Sequence, residues 1–339
     1  MSPIVSVIGT GGTISSTKTN EGFIPALSPE TLVKLVPDIE KVAELRVREI
    51  MKKDSSNMTP NDWQIITKEI VKDLLDPEIN GVVVTHGTDT MAYSASAAGL
   101  FIRNLNKPVV FTGSQIPIGE IGTDAKRNLL DAVRVAANTD IAESVIVFDS
   151  RILRGVRTIK LREYDLNAFE TVDPVPIGEI AREIYLTDPL VKKRNNKVPY
   201  WDGKLIPNVS LVRVFPGITP KILEILPEMG YKGIIIEGYG AGNVPIQRKS
   251  FANTVKKLYD QGIPVVVTTQ CVFGRTEPLL YQTGKHVFDA GAISGHDMIS
   301  EVAMIKLMWA LAKVKENDIE KVKKYMYQNL AGEINPEYY

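Results

Sequence analysis

Short runs of apolar, largely β-branched residues recur along the chain. Each is closed by a polar turn and followed by a stretch with helical spacing. Residues 4–8 run into Gly-Thr-Gly-Gly-Thr, and residues 82–85 into His-Gly-Thr-Asp-Thr and the small-residue segment 91–103. Residues 109–112 lead through a long loop to a helical pattern over 124–138, and residues 145–148 follow. Strands that are apolar throughout, rather than alternating, predict a parallel sheet with helices on both faces. Thr59 before Pro60 marks a helix start, a capping side chain followed by a first-turn proline, and Asp124 reads as a second cap.

The pattern lapses between residues 187 and 207, where a polar, proline-bearing stretch contains the turn-like Asp202-Gly203. We read it as a hairpin-like linker. A second strand and helix series follows, with strands at 209–215, 233–237 and 265–269. Helices are expected from Thr219-Pro220 and over 249–261, 297–314 and 318–329. The expected fold is α/β with two α/β domains: a larger N-terminal parallel-sheet domain over 1–186, a linker over 187–208, and a smaller C-terminal α/β domain over 209–339.

Length agrees with that division, since 339 residues exceed one ordinary domain of roughly 100–200. Lysine plus arginine and aspartate plus glutamate balance at 40 each, which gives no electrostatic reason to expect nucleic acid or an acidic membrane surface as partner. The compact basic run at residues 192–194 reads as a solvated loop. One cysteine, Cys271, forms no intrachain disulfide and signals no oxidising compartment. The N-terminus lacks the basic and apolar regions of a secretory signal, and no window approaches the roughly 18 apolar residues of a membrane span. The expected location is cytoplasmic.

Ligands of open parallel sheets bind at the carboxyl ends of the strands. After the first strand, residues 9–13 place the hydroxyl of Thr13 just beyond a flexible glycine turn. A nucleotide-binding turn is disfavoured, because Ile14 stands where a third glycine belongs and no phosphate-binding GxxxxGK[ST] loop is present. After the second strand, Thr88 and Asp89 put a hydroxyl beside a carboxylate, which fits either a helix cap or a reacting pair. Both features fall at one sheet edge, which favours a functional reading. His86, His286 and His296 show no metal-ligand spacing.

The pair TGGTI at 10–14 and HGTDT at 86–90, in this order and spacing, resembles the two signatures of the L-asparaginase family. The segments TGSQIP (112–117), FPGIT (215–219), GYGAGNVP (238–245), TQC (269–271) and NLAGEI (329–334) extend the resemblance to its cytoplasmic, type I branch. The resemblance implies two α/β domains and a homodimer or a dimer of dimers. It implies hydrolysis of L-asparagine to L-aspartate and ammonia, with weak glutaminase activity at most and no metal or organic cofactor. By the same resemblance Thr13 is the nucleophile, and Thr88, Asp89 and Lys160 form a relay, Lys160 being matched through RGVRTIK at 154–160. A lysine serves as base when desolvation helps it give up its proton. Ser55, in Asp-Ser-Ser-Asn at 54–57, would hold the substrate carboxylate, with Ser56 beside it. Asp89 would pair with the ammonium, and Gly12 with the backbone around Thr88 and Asp89 would supply N–H groups.

One position departs from the family pattern. Members carry a tyrosine on the loop about ten residues beyond the nucleophile, and Phe23 stands there. Phenylalanine can close a site as a lid but relays no proton, so Thr88, Lys160 or a tyrosine such as Tyr164, Tyr239 or Tyr281 would have to compensate. Two alternatives remain. The ammonia-releasing amidase subunit of a tRNA-dependent amidotransferase carries the same motifs. It has an additional N-terminal domain, which is not expected where the nucleophile lies at residue 13. The other is a noncatalytic amino-acid-binding regulator, with Phe23 marking lost activity.

Overall fold

A computed structural model describes residues 2–19, 22–247, 250–315 and 318–335, without the side chains of Lys18, Thr19, Phe23 and Pro25. The chain divides into two compact units, Met1–Gly203 and Lys204–Tyr339.

In the first unit the strands are β1 (Ile4–Gly11), β2 (Ser16–Thr19), β3 (Gly22–Pro25), β4 (Glu44–Lys53), β5 (Ile79–Thr85), β6 (Ile102–Arg103), β7 (Val109–Thr112), β8 (Ser144–Phe148), β9 (Arg151–Arg154), β10 (Thr158–Lys160), β11 (Phe169–Thr171), β12 (Gly178–Ile180), β13 (Ile184–Leu186) and β14 (Tyr200–Trp201). The helices are α1 (Pro29–Lys34), α2 (Pro60–Leu75), α3 (Met91–Phe101) and α4 (Ala125–Asn138). Among the described residues the main sheet runs β13-β12-β9-β8-β7-β5-β1-β4. It is parallel from β4 to β8 and antiparallel from β8 outward to β13.

The parallel core matches the expectation, and its cause is visible in alternate residues. Val5, Val7, Val83, Val110, Val145 and Val147 pack on one face with Leu32 of α1 and Leu129, Ala132, Val133 and Ala136 of α4. Ile8, Val82, Val84, Val109, Phe111, Ile146 and Phe148 pack on the other with Ile66, Ile70 and Leu74 of α2 and Met91, Ala95 and Ala98 of α3. A period of two in the strands thus meets a period near four in the helices. The antiparallel extension was not expected. It begins where Asp149 and Ser150, both at positive φ (47° and 59°), close a two-residue hairpin between β8 and β9.

Strand β4 was also missed. It lies at the sheet edge, is mostly half-buried or exposed, and carries charged residues, so no continuous apolar run announces it. The stretch 187–203, read from sequence as linker, is folded along the first unit. β14 pairs with β6, Trp201 Nε1 donates to Thr67 Oγ1 at 3.0 Å, and Gln64 Nε2 donates to the Gly203 carbonyl at 2.8 Å.

The second unit holds the parallel sheet β15 (Val209–Arg213), β16 (Gly233–Gly238), β17 (Val265–Thr269) and β18 (Ile293–Ser294) in sequence order. Helices α5 (Lys221–Ile225), α6 (Phe251–Asp260), α7 (Gln282–Asp289), α8 (Ser300–Ala312) and α9 (Ile319–Met326) accompany it. Lys306, in the apolar helix α8, and Glu333 are both fully buried and ion-paired at 2.7 Å. Glu333 also accepts from the N–H groups of Leu330 and Ala331, which fixes the chain beyond α9.

Candidate functional site

Register brings the candidate loops together. Gly9 of β1 lies beside Thr85 of β5, and Thr85 beside Thr112 of β7, so the segments after all three strands leave the sheet at one level. Two glycines at positive φ, Gly11 (102°) as the last residue of β1 and Gly12 (87°) just beyond it, turn the chain. A Cβ at Gly11 would lie 2.4 Å from the Lys53 carbonyl oxygen, and one at Gly12 would lie 2.2 Å from the Gly87 nitrogen. Here glycine serves both its φ range and close backbone approach. The Gly12 N–H donates to the Lys53 carbonyl at 3.0 Å, so what Gly12 gives the site is that approach. Its carbonyl accepts from the hydroxyls of Ser15 and Ser16, each at 3.0 Å. These bonds hold the short 3-10 turn Thr13–Ser15 that presents half-buried Thr13.

The loop after β5 is fixed from below by His86, which is fully buried. Its Nδ1 lies 2.8 Å from the Gly87 carbonyl and its Nε2 2.8 Å from Ser94 Oγ of α3. A carbonyl only accepts, so Nδ1 carries the proton and Nε2 accepts from Ser94. Burial holds the ring neutral by pushing its pKa down to about 4, against the opposing pull of the Gly87 carbonyl. A histidine that sequence spacing excluded as a metal ligand thus acts as a strut under the motif.

Thr88 is buried and Asp89 exposed, and neither caps α3, whose N-cap is Thr90. Thr88 Oγ1 donates to Gln115 Oε1 at 3.2 Å and accepts from Lys160 Nζ at 2.9 Å. Lys160 Nζ also donates to Asp89 Oδ1 at 2.7 Å. Lys160 ends β10, which pairs with β11. The turn just before β10 packs closely on the small residues of α3, with Ser96 Oγ donating to the Gly155 carbonyl at 2.9 Å. Of the sequence candidates, Thr88, Asp89 and Lys160 are therefore in direct contact.

Ser55 is buried against the same loop: a Cβ at Gly87 would lie 2.5 Å from Ser55 Oγ, and Thr90 Oγ1 donates to the Ser55 carbonyl at 2.8 Å. Ser56 is exposed, and its hydroxyl donates to Asp54 Oδ1 at 2.7 Å. The segment is tied to the start of α2, where Asp62 accepts from the Thr59 N–H (2.8 Å) and hydroxyl (2.7 Å) and pairs with Lys53. Phe23 falls in β3, and its side chain lies outside the described part of the structure. Tyr164 is 88% exposed on the turn after Lys160, while Tyr239 and Tyr281 belong to the second unit.

Three residues at this edge escaped sequence reasoning. Asn128, buried on α4, donates to the Gly113 carbonyl (3.0 Å) and to Asp124 Oδ2 (2.9 Å), and accepts from the Asp149 N–H (3.1 Å). Asp124, expected only as a cap, turns its carboxylate to the N–H groups of Gln115 and Ile116. Gln115 then reaches Thr88. The sequence signal for it was a polar amide three residues beyond a strand end, at the edge where ligands bind. Among the described residues no group of three or more His, Cys, Asp or Glu side chains is arranged to hold a metal ion. None of their helices is long and apolar enough to cross a membrane. Chemically, the edge offers two threonine hydroxyls on loops in backbone contact, one of them linked to an amine and a carboxylate.

Comparison with known proteins agrees over both units. The family model described as "Asparaginase, N-terminal" matches residues 4–192, and "Glutaminase/Asparaginase C-terminal domain" matches residues 208–326. The chain is 38% identical to a glutamyl-tRNA(Gln) amidotransferase subunit from Pyrococcus abyssi, over 98% of this chain and 77% of that one. It is 37% identical to L-asparaginase 1 of Escherichia coli K12, over 98% of each. Among solved structures, the thermostable L-asparaginase from Thermococcus kodakarensis matches with a TM-score of 0.90 at 36% identity, over 98% of this chain and 99% of that one.

Proposed function

The chain belongs to the asparaginase family of amidohydrolases, and we propose that it is an L-asparaginase hydrolysing L-asparagine to L-aspartate and ammonia. In this reading Thr13 Oγ attacks the side-chain amide carbon and its proton passes to the relay. The tetrahedral intermediate expels ammonia and leaves an ester on Thr13. Water then attacks the ester and releases aspartate, with Thr88, Asp89 and Lys160 moving the protons. Backbone N–H groups around Thr88 and Asp89 stabilise the oxyanion. Ser55 takes the substrate carboxylate and Asp89 its ammonium.

The observation that carries the reading is the contact of Lys160 Nζ with both Thr88 Oγ1 (2.9 Å) and Asp89 Oδ1 (2.7 Å), at the sheet edge where the Thr13 turn emerges. A structural lysine gains little from a threonine hydroxyl, whereas a proton relay needs that contact. Action as a homodimer or a dimer of dimers in the cytoplasm belongs to the same proposal. Exposed Cys271 fits a reducing compartment.

Ammonia release tests it. Asparagine should be turned over in preference to glutamine, because one extra methylene displaces the amide by about 1 Å, enough to cost about 10²-fold. Thr13→Ala should lower kcat by at least about 10³-fold with the fold intact. A variant keeping a tenth of the activity removes Thr13 from the mechanism. Binding of asparagine without turnover by the parent protein would point instead to a regulator.

A second reading has its own support in the 38% identity to the amidotransferase subunit of Pyrococcus abyssi. It predicts that ammonia release depends on a partner subunit and glutamyl-tRNA. Full activity of the isolated chain on free asparagine excludes it.

A further inference from the structure

Gln115 stands three residues beyond the end of β7, with its N–H on the Asp124 carboxylate at 3.0 Å. Its side-chain Nε2 donates to the carbonyls of Glu163 (2.7 Å) and Asp165 (3.2 Å), on the turn that follows Lys160. Both amide hydrogens are thereby spent, and the amide orientation is settled, because a flipped group would set Oε1 against two carbonyls. Oε1 faces Thr88 and can only accept.

Thr88 has one hydroxyl proton. While Lys160 is an ammonium it donates to Thr88 Oγ1, and the hydroxyl proton goes to Gln115 Oε1. Only after Lys160 has lost a proton can the hydroxyl turn toward the nitrogen. Resting on the relay reading above, we propose that Gln115 is a positioning residue that sets the direction of the Thr88 hydroxyl and so governs when the relay can accept a proton. Its carbonyl competes with the Lys160 amine for the same proton, while its NH2 group ties down the turn beyond that lysine.

The charges around the relay leave Gln115 room to matter. Asp89 faces Lys160 directly. Glu170 on β11 pairs with Arg151 and Arg162, and Arg157, just before β10, pairs with Asp173. The packed helix α3 carries no charged side chain. Asp124 is occupied by backbone N–H groups and Asn128.

The test is the pH profile of kcat for asparagine in Gln115→Met and Gln115→Glu. Gln115→Met removes the competing acceptor, so the acid limb should move to lower pH by about half a unit or more, the scale of one neutral hydrogen bond. Gln115→Glu places an anionic acceptor there and should move the limb to higher pH. A role confined to anchoring the turn would lower kcat in both variants without moving the profile. Profiles unmoved, or moved in the same direction in both, overturn the proposal. Should Gln115→Glu fail to fold, the direction of Gln115→Met decides; should Gln115→Met fail, Gln115→Leu takes its place, because a new carboxylate would raise the lysine's pKa by charge alone. Thr88→Val and Lys160→Met, assayed alongside, separate the two ideas. If they stay active, the relay reading has failed; if they are inactive and the profiles are unmoved, only the role of Gln115 has.

Discussion

Gly12 and Gly87 touch backbone to backbone: a Cβ on Gly12 would lie 2.2 Å from the Gly87 nitrogen and 2.4 Å from its Cα. The two motifs, separated by more than seventy residues of chain, are thus held at one contact that only glycine allows. Thr13 follows one of these glycines and Thr88 follows the other.

Gly12→Ala should therefore damage both stability and turnover. A non-glycine residue at φ 87° costs about 1–3 kcal/mol in backbone strain. The clash is with backbone, which has no rotamer to yield. Forcing the loops apart by about 1 Å should cost about 10²-fold in kcat/KM. Thermal unfolding and ammonia release check this together, and a variant matching the parent in both would show that the loops are not pressed together.

The relay should behave as one device. Thr88→Val and Lys160→Met are each expected to lower kcat by about 10²–10⁴-fold, the usual worth of one acid–base group. The double variant should lose far less than the product of the two, since each single change already disables the unit. Steady-state kinetics of the three variants decide it, and fully multiplicative losses would mean that the residues act separately.

Much of this edge was legible in the sequence, and the illegible part has physical causes. β1, β5, β7 and β8 announce themselves because strands buried on both faces must be apolar throughout. The glycines at 11 and 12 and the hydroxyls at 13 and 88 are local to those strand ends. β4 gives no such signal, because an edge strand with half-exposed charges reads as loop. Gln115, Asp124 and Asn128 form a chain of hydrogen bonds from α4 to Thr88 that exists only once three loops have met. Lys306 looks like a solvated charge interrupting an apolar helix until Glu333, twenty-seven positions on, is found buried against it.

That buried pair leads to a stability prediction. Lys306→Met leaves the Glu333 carboxylate buried without its cation, an arrangement that costs about 3–5 kcal/mol. Lys306→Met combined with Glu333→Gln removes the charge while keeping a carbonyl acceptor for the Leu330 and Ala331 N–H groups. The double variant should be more stable than Lys306→Met alone. Denaturation midpoints of the three proteins test the order, and a double variant weaker than Lys306→Met would mean that the Glu333 charge contributes through groups other than Lys306.

His86 should make stability depend on pH in a defined window. Its folded pKa, about 4, lies below its ordinary value of 6.5, because burial disfavours the imidazolium. The unfolded chain therefore binds a proton at His86 between those values and the folded chain does not. The contribution of His86 is fully present above pH 6.5 and is lost as pH falls toward 4. The gap corresponds to about 3 kcal/mol in all, with about 2 kcal/mol gone by pH 5. His86→Gln has no titrating ring, so its stability difference from the parent should shrink steadily between pH 7 and pH 5. Urea denaturation at pH 7, 6 and 5 measures that difference. A constant difference would show that the folded ring takes up its proton at the same pH as the unfolded one, so that by pH 5 it is charged and has to donate from both nitrogens. Ser94 would then be forced to accept at Nε2 and to find another acceptor for its own proton.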